Sequence, residues 1–305
     1  MAQAENIAHK KQHPSIRPLS SFGVLLPCCI IPFRKKSAHA LRLFLRTVLF
    51  DFFGLQFSVK FGFKEIPVIH IDHPLDRLIP FDPSKVTAYL DFTHFWIRPM
   101  TLLFKRVGIK KALPYCTQFI YLIETVYREA AYIYRFRMTT TARPSYKKGR
   151  DGKALRMIRR LDPHLLCIPS LHVAVVVLTR TYYEQAFKEL GFSEEECRVY
   201  GEELREGARK IIESILYIKQ HSVNCIPAAL YMMLSLLKGS FTISQGVEII
   251  NSLFTDVQDI SEKDKKALHA HINFMFERLL LEGCSEDDWT VPVKHWLSNF
   301  TPIVY

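Results

Sequence analysis

Residues 169–174 read PSLHVA and residues 219–223 read KQHSV, and these two stretches decide the fold. In the first, Pro169 and a hydroxyl residue precede a long apolar run, which is typical of the start of a helix. The second comes just before another apolar segment, residues 226–237. The pattern therefore predicts His172 in the first turn of one helix and His221 near the junction of two others.

Helical spacing of apolar residues recurs through the rest of the chain, and few segments show the alternation typical of strands. The prediction is an all-α protein, a helical bundle with helical additions at both ends. We expect a flexible basic N-terminal arm at residues 1–37, amphipathic helices and loops at 38–111, a helical core at 112–238 and a helical extension at 239–305.

The composition indicates a folded protein with anionic partners. The chain has 305 residues, of which 49% are hydrophobic, and a formal net charge of +11. This is enough apolar material for a sizeable core, and the charge favours phosphorylated metabolites, lipid headgroups or nucleic acid as partners. Residues 135–160 carry ten lysines and arginines against one acidic residue, which predicts a concentrated anion-binding surface.

Cysteine usage and hydropathy bear on the compartment. The seven cysteines are odd in number and mostly scattered, so a reducing compartment is expected. No segment reads cleanly as a membrane span. We therefore expect a cytoplasmic protein, either free in the cytosol or peripheral on a membrane, rather than an integral one. The amphipathic pattern at 38–55 fits either an ordinary core-packing helix or a helix lying on an anionic membrane surface.

The two histidines suggest a chemistry. Each stands beside a hydroxyl residue and a long apolar segment. Such a pair favours phosphoryl transfer through a phosphohistidine, in which one imidazole attacks phosphorus and the other protonates the leaving oxygen. A single four-residue motif carries little weight, but its order and context strengthen the hypothesis.

Together with Arg143-Pro144 ahead of them, the two stretches resemble the type 2 phosphatidic acid phosphatase superfamily, which includes soluble acid phosphatases and vanadium haloperoxidases. Its signatures are Lys, six residues, Arg-Pro; then Pro-Ser-Gly-His; then Ser-Arg, five residues, His, three residues, Asp. The resemblance covers roughly residues 112–237. It implies that family's helical bundle and a metal-independent phosphatase, without cofactor, acting on a phosphomonoester or lipid phosphate.

The resemblance also implies roles for individual residues. His221 would be the nucleophile and His172 the general acid. The substrate phosphate would be bound by side chains together with free N–H groups at the helix start. The candidates for that binding are Arg143, Ser170, Lys219, Arg135 and Arg137.

Three signature positions differ from the family pattern. The Asp that orients the nucleophile is replaced by Cys225, the Arg after Ser214 by Ile215, and the first Lys by Phe136. We expect Asn224 or Cys225 to orient His221 instead, Lys219 to replace the lost Arg, and Arg135 or Arg137 to replace the lost Lys.

Two other classes of function stay open. The chain could be a catalytically inactive family member that binds phosphate or an anionic membrane. It could also hold zinc through His164, Cys167, His221 and Cys225, whose spacing a zinc site tolerates. Nucleic acid is disfavoured as a partner, because the basic segment has only Phe136 and Tyr146 for base stacking.

Overall fold

A computed structural model describes residues 16–144 and 152–302. Within them the chain is mostly helical, which confirms the all-α class. The helices are α1 (Leu25–Ile30), α2 (Lys35–Thr47), a π-helix (Val48–Gly54), α3 (Leu55–Lys60), α4 (Val86–Phe136), α5 (Gly152–Leu161), α6 (Leu171–Glu189), α7 (Glu194–Tyr217), α8 (Cys225–Leu236), α9 (Ile243–Ser252), α10 (Glu262–Glu282) and α11 (Thr290–Ser298). Short 3₁₀ turns lie at Leu19–Ser21, Ile31–Phe33, Pro74–Leu78 and Pro83–Lys85.

Two short strands form a small parallel sheet beside the helices. Strand β1 (Val68–His70) pairs with β2 (Met138–Thr140), with Val68 opposite Met138. A bridge from Thr139 to Leu166 adds the segment that leads into α6. This sheet fixes the end of α4 next to the start of α6, so it helps to place the candidate site.

The centre of the molecule is a helical bundle in which α6 packs against α4, α7 and α8. Helix α6 is apolar nearly all round in its first half, from Val173 to Leu178, and these residues are buried. A helix without a polar face must be covered on every side. The sequence predicted the start of this helix. The helix ends near Gly191, whose φ of 75° suits glycine.

Helix α4 spans 51 residues but is broken at Gly108, where φ is 79° and ψ is 160°. The break lies close to the predicted boundary at residue 111 between the amphipathic helices and the helical core. Because the backbone at Gly108 leaves the right-handed helical region, the two halves of α4 are separate rods joined end to end.

The main hydrophobic core runs from Leu19 to Leu297, and a second, small cluster contains Val86, Leu155, Ile158 and Ile218. The predicted division into an arm, a core and an extension is therefore not a division into separate cores. The arm prediction needs correction from residue 16 onward, because Leu19, Phe22 and Ile30 are buried in that core. Residues 1–15 of the predicted arm lie outside the described residues.

Among the helices of the described chain, none combines the length and the apolar character that crossing a membrane requires.

Candidate functional site

The first turn of α6 carries His172 into the site. Ser170 is the N-cap, and its hydroxyl accepts the Val173 N–H at 3.4 Å. The carbonyl of the preceding Pro169 accepts a hydrogen bond from the Tyr134 hydroxyl at 2.6 Å. The cap and the anchor fix where α6 begins, and so they fix the position of His172.

His221 lies in the turn after α7. The Ile215 carbonyl accepts the backbone N–H groups of Gln220 at 2.9 Å and His221 at 3.1 Å, which closes the helix end. The buried Asp76 carboxylate accepts the Val223 N–H at 2.9 Å. Burial raises the pKa of Asp76. This hydrogen bond joins the turn to the 3₁₀ segment at 74–78.

The two imidazoles meet in space. Their ring centroids are 5.6 Å apart and the ring planes are inclined by 70°. The His172 ring also contacts Tyr89, at 4.5 Å between centroids, and Phe92, at 4.6 Å. Both histidines line a cavity of about 210 Å³. Two residues far apart in the sequence therefore share one pocket.

Burial keeps both rings neutral near pH 7. It lowers the pKa of His172 to about 4. It also lowers the pKa of His221 well below its usual value, with further contributions from His172 and Arg143. A neutral His221 suits a nucleophile, whereas a general acid must first take up a proton.

Arg143 is mostly buried beside this cavity. Its Nη2 lies 3.5 Å from Oδ2 of Asp162, a residue that lines the cavity. Burial lowers the pKa of Arg143 and raises that of Asp162. The Arg143 charge in turn lowers the pKa values of His164 and His221, after burial. The guanidinium is therefore close enough to affect the charge of His164 and His221.

Several buried polar atoms around the cavity have no hydrogen-bond partner within the described chain. Gln220, 1% exposed, leaves both amide atoms unpaired. Unpaired buried atoms of this kind call for a partner from a ligand or from water. The others are Nε and Nη2 of Arg143, Nδ1 of His221 and Nε2 of Gln56. Gln220, His221 and Gln56 line the cavity, and Arg143 contacts it through Asp162, so the unpaired atoms favour an anionic or strongly polar ligand.

Other predicted phosphate-binding residues make different contacts. Arg135 pairs with Asp51 at 2.5 Å, and Arg137 donates to the Leu297 carbonyl at 2.6 Å. Lys219 donates to the carbonyls of Asp76 at 2.6 Å and Ile79 at 2.5 Å. None of these three side chains lines the histidine cavity, and neither do Arg143 and Ser170, which lie next to residues that line it.

The predicted basic surface is also dispersed. Arg156 donates to its own helix at the Gly152 carbonyl, and Arg159 donates to the Pro144 carbonyl. Together with the Asp51 and Leu297 contacts, these bonds direct the side chains to separate places. Lys147, Lys148 and Arg150 of the same prediction lie outside the described residues, as does Tyr146.

The two candidates for orienting His221 are engaged elsewhere. The Asn224 amide donates to the Ile71 carbonyl at 3.0 Å, and its oxygen lies 2.9 Å from Nε2 of His271. The Cys225 thiol is buried against Cys167, and its pKa is raised first by burial and then by that contact. The Cys167 backbone raises the pKa of His221 against the larger effect of burial, and Nδ1 of the ring has no hydrogen-bond partner within the described residues. Both side chains that were predicted to orient His221 thus have other partners.

The zinc alternative finds little support in this arrangement. His164 and Cys167 are adjacent, with Sγ 3.9 Å from Nδ1 and 3.8 Å from Nε2. The Nε2 of His164 lies 2.7 Å from the Thr141 hydroxyl. In the part of the chain that is described, no three His, Cys, Asp or Glu side chains are grouped to hold a metal ion.

The sequence did not reveal four residues of the site. Tyr89 and Phe92 come from α4, far from either motif, and nothing in the sequence marks them. Asp162 had a weak signal, because Asp-Pro-His is a turn sequence in which Asp162 accepts the His164 N–H at 2.9 Å. Gln220 stands next to His221 within a quoted motif.

Comparisons with protein-family models, with curated proteins and with solved structures gave no match.

Proposed function

We propose that this protein hydrolyses a phosphomonoester through a phosphohistidine at His221, without a metal ion. The proposal rests mainly on the approach of His172 and His221 to 5.6 Å at one cavity. The cationic Arg143 beside them supplies charge that would stabilise the transferring phosphoryl group. The substrate is a soluble phosphate ester or a lipid phosphate, since both present the same group.

The reaction has two steps. In the first, a ring nitrogen of neutral His221 attacks phosphorus, the bond from phosphorus to the leaving oxygen breaks, and protonated His172 gives that oxygen its proton. In the second, neutral His172 takes a proton from water as the water attacks phosphorus. The P–N bond breaks, inorganic phosphate leaves and His221 regains its electron pair.

Substrate binding would favour the uptake of a proton from water by His172. A phosphate dianion next to a buried imidazole favours the charged ring, so its pKa rises on binding. In the free protein the pKa of His172 is about 4. Because kcat/KM reports the free enzyme, we expect it to fall as the pH rises above this value, which gives an acid optimum.

The unpaired donors of Arg143 and Gln220 would bind the non-bridging oxygens. A planar guanidinium can donate two parallel bonds to a phosphate, although Asp162 competes for it at 3.5 Å. The Ser170 hydroxyl caps α6 and keeps its own proton free to donate. The N-terminus of α6 adds the positive end of the helix dipole.

Steady-state hydrolysis of an aryl phosphate tests this proposal. We expect His221→Ala to abolish turnover and His172→Ala to lower it at least a hundredfold, because acid catalysis contributes about that much. His295→Ala is the matched control, since that ring is exposed and pairs with Glu282. Unchanged turnover in His221→Ala, with the circular dichroism of the wild type, would disprove the proposal.

A second candidate function is oxyanion binding without turnover. It is favoured by the packing of the His172 ring against Tyr89 and Phe92, which opposes protonation. In that case, calorimetry would detect phosphate or vanadate binding that Arg143→Gln weakens, while no ester tested would be hydrolysed.

A further inference from the structure

The segment from α2 to α3 presents an exposed apolar face with cations around it. The run is continuous, from α2 through the π-helix at Val48–Gly54 to α3. Its exposed positions recur every three or four residues, as on one side of a helix. They are Arg42, Leu45, Arg46, Leu49, Phe50 and Phe53. The opposite side, with Ala40 and Phe44, is buried in the core.

The turn after α3 extends this face with aromatic rings. Phe61 is 63% exposed and Phe63 is 81% exposed, and Phe50 on the helix is 70% exposed. The Phe61 ring contacts those of Phe57 at 5.8 Å and Phe63 at 6.4 Å. The Lys60 ammonium lies over Phe57 and Phe61. Large apolar side chains clustered and exposed in this way mark an interaction surface.

The charge around the face has one sign. Residues 16–64 contain eight lysines and arginines and a single acidic residue, Asp51. That carboxylate is paired with Arg135. The face therefore presents apolar rings at its centre and cations beside them, with its one negative charge already compensated.

We infer that this face docks on an anionic lipid bilayer. The face is defined by Arg42, Leu45, Arg46, Leu49, Phe50, Phe53, Phe61 and Phe63. The apolar rings would insert between the lipid headgroups and acyl chains, while the nearby cations bind the negative headgroups. The two contributions to membrane binding add to each other. Docking does not depend on the chemistry proposed for the histidines.

The charge pattern argues against a second copy of the chain as the occupant. A symmetric dimer places the same patch of each copy against the other. Here that contact would bring Arg42 and Arg46 of one copy close to the same cations of the other, without acidic partners. An anionic bilayer offers the opposite charge and has no such conflict.

Vesicle sedimentation with the full chain tests this inference. The probes are phosphatidylcholine vesicles and vesicles in which one third of the lipid is phosphatidylserine. We expect binding to the anionic vesicles that falls as salt is added. Phe61→Ser/Phe63→Ser should lower the partition coefficient at least about tenfold, and Arg42→Gln/Arg46→Gln about thirtyfold on anionic vesicles, since each basic residue contributes about 1 kcal/mol.

Two variants serve as controls. Phe274→Ser removes a ring that is 60% exposed on α10, and Lys210→Gln removes a cation from α7. Neither should change binding. The inference is overturned if the wild type does not bind the anionic vesicles, if it binds both vesicle types equally, or if Phe274→Ser weakens binding as much as the double variant.

Self-association is measured on the same samples by light scattering. A dimer that Phe61→Ser/Phe63→Ser dissociates would assign the face to a second copy and overturn the inference. Circular dichroism of each variant establishes that the substitutions, all at exposed positions, leave the fold intact. A monomeric, folded double variant that has lost vesicle binding is the supporting result.

Discussion

At the residue scale, the proposed anion binding depends most on Arg143. Its side chain is largely buried, and two of its nitrogens have no hydrogen-bond partner in the described part of the chain. The sole carboxylate recorded as its ion-pair partner there, Asp162, lies at 3.5 Å, which is long for a bidentate pair. Burying a guanidinium with so little compensation is costly, and a phosphate would reduce that cost.

We therefore expect Arg143→Lys to weaken phosphate or vanadate binding about tenfold, because an ammonium keeps the charge but loses the planar fork. Isothermal titration calorimetry gives the affinity. Arg135→Lys is the matched control, since Arg135 pairs with Asp51 away from the cavity, and its affinity should equal that of the wild type. Unchanged affinity in Arg143→Lys would show that only the charge matters, and equal losses in both variants would contradict a specific role for Arg143.

The neutral state of His172 makes stability depend on pH. Its pKa is about 4 in the folded protein and near 6.5 when unfolded. Between these values the unfolded chain binds more protons, so stability is fully present above pH 6.5 and is lost as the pH falls toward 4. The ring is not fully enclosed, so the loss between pH 7 and 5 is up to about 2 kcal/mol.

Urea unfolding at pH 7 and pH 5 measures this effect. We expect His172→Gln to lose less stability than the wild type over the same interval, because the substituted side chain does not titrate. His271, whose pKa burial also lowers to about 4, contributes equally to both proteins. An identical pH dependence in the two proteins would contradict the neutral, buried state of His172.

At the scale of elements, the start of α6 both stabilises the helix and positions His172 in the site. Ser170 caps α6 and stands two residues before His172, whereas Ser193 caps α7 far from the cavity and reciprocates with Glu196. We expect Ser170→Ala and Ser193→Ala each to cost about 1 kcal/mol of stability. Turnover of an aryl phosphate should fall only in Ser170→Ala. Equal turnover in both variants would remove the link between this cap and catalysis.

The elements show how far the sequence could be interpreted. The caps at Ser193 and Ser261, the end at Gly191 and the helix behind PSLHVA were predictable because local side-chain chemistry fixes them. The π-helix at Val48–Gly54 was not predictable, because its sequence has an ordinary helical pattern. The neighbours of His172 were not predictable either, since Tyr89 and Phe92 reach it only through the packing of α4.

The candidates for orienting His221 illustrate the same limit. The family resemblance pointed to the side chains at 224 and 225, and both have other partners. The Asn224 side chain contacts the Ile71 carbonyl and His271, which are far from it in the sequence. Only the folded structure could reveal contacts between such distant segments.

At the scale of the whole molecule, the main core is continuous. It contains residues from Leu19 to Leu297, and Trp289 near the C-terminus donates to Glu129 of α4 at 3.1 Å. We therefore expect one cooperative unfolding transition. Tryptophan fluorescence, which reports Trp96, Trp289 and Trp296, should coincide with far-UV circular dichroism. Two separated transitions would indicate that the C-terminal extension is an independent domain.

The central claim is that His221 carries the phosphoryl group during turnover. The most direct test is to quench the reaction in alkali, where phosphohistidine survives, and to map the modified peptide by mass spectrometry. The mechanism requires one phosphoryl group on His221 in the wild type and in His295→Ala, and none in His221→Ala. Turnover with no labelled histidine, or with the label on another residue, would contradict it.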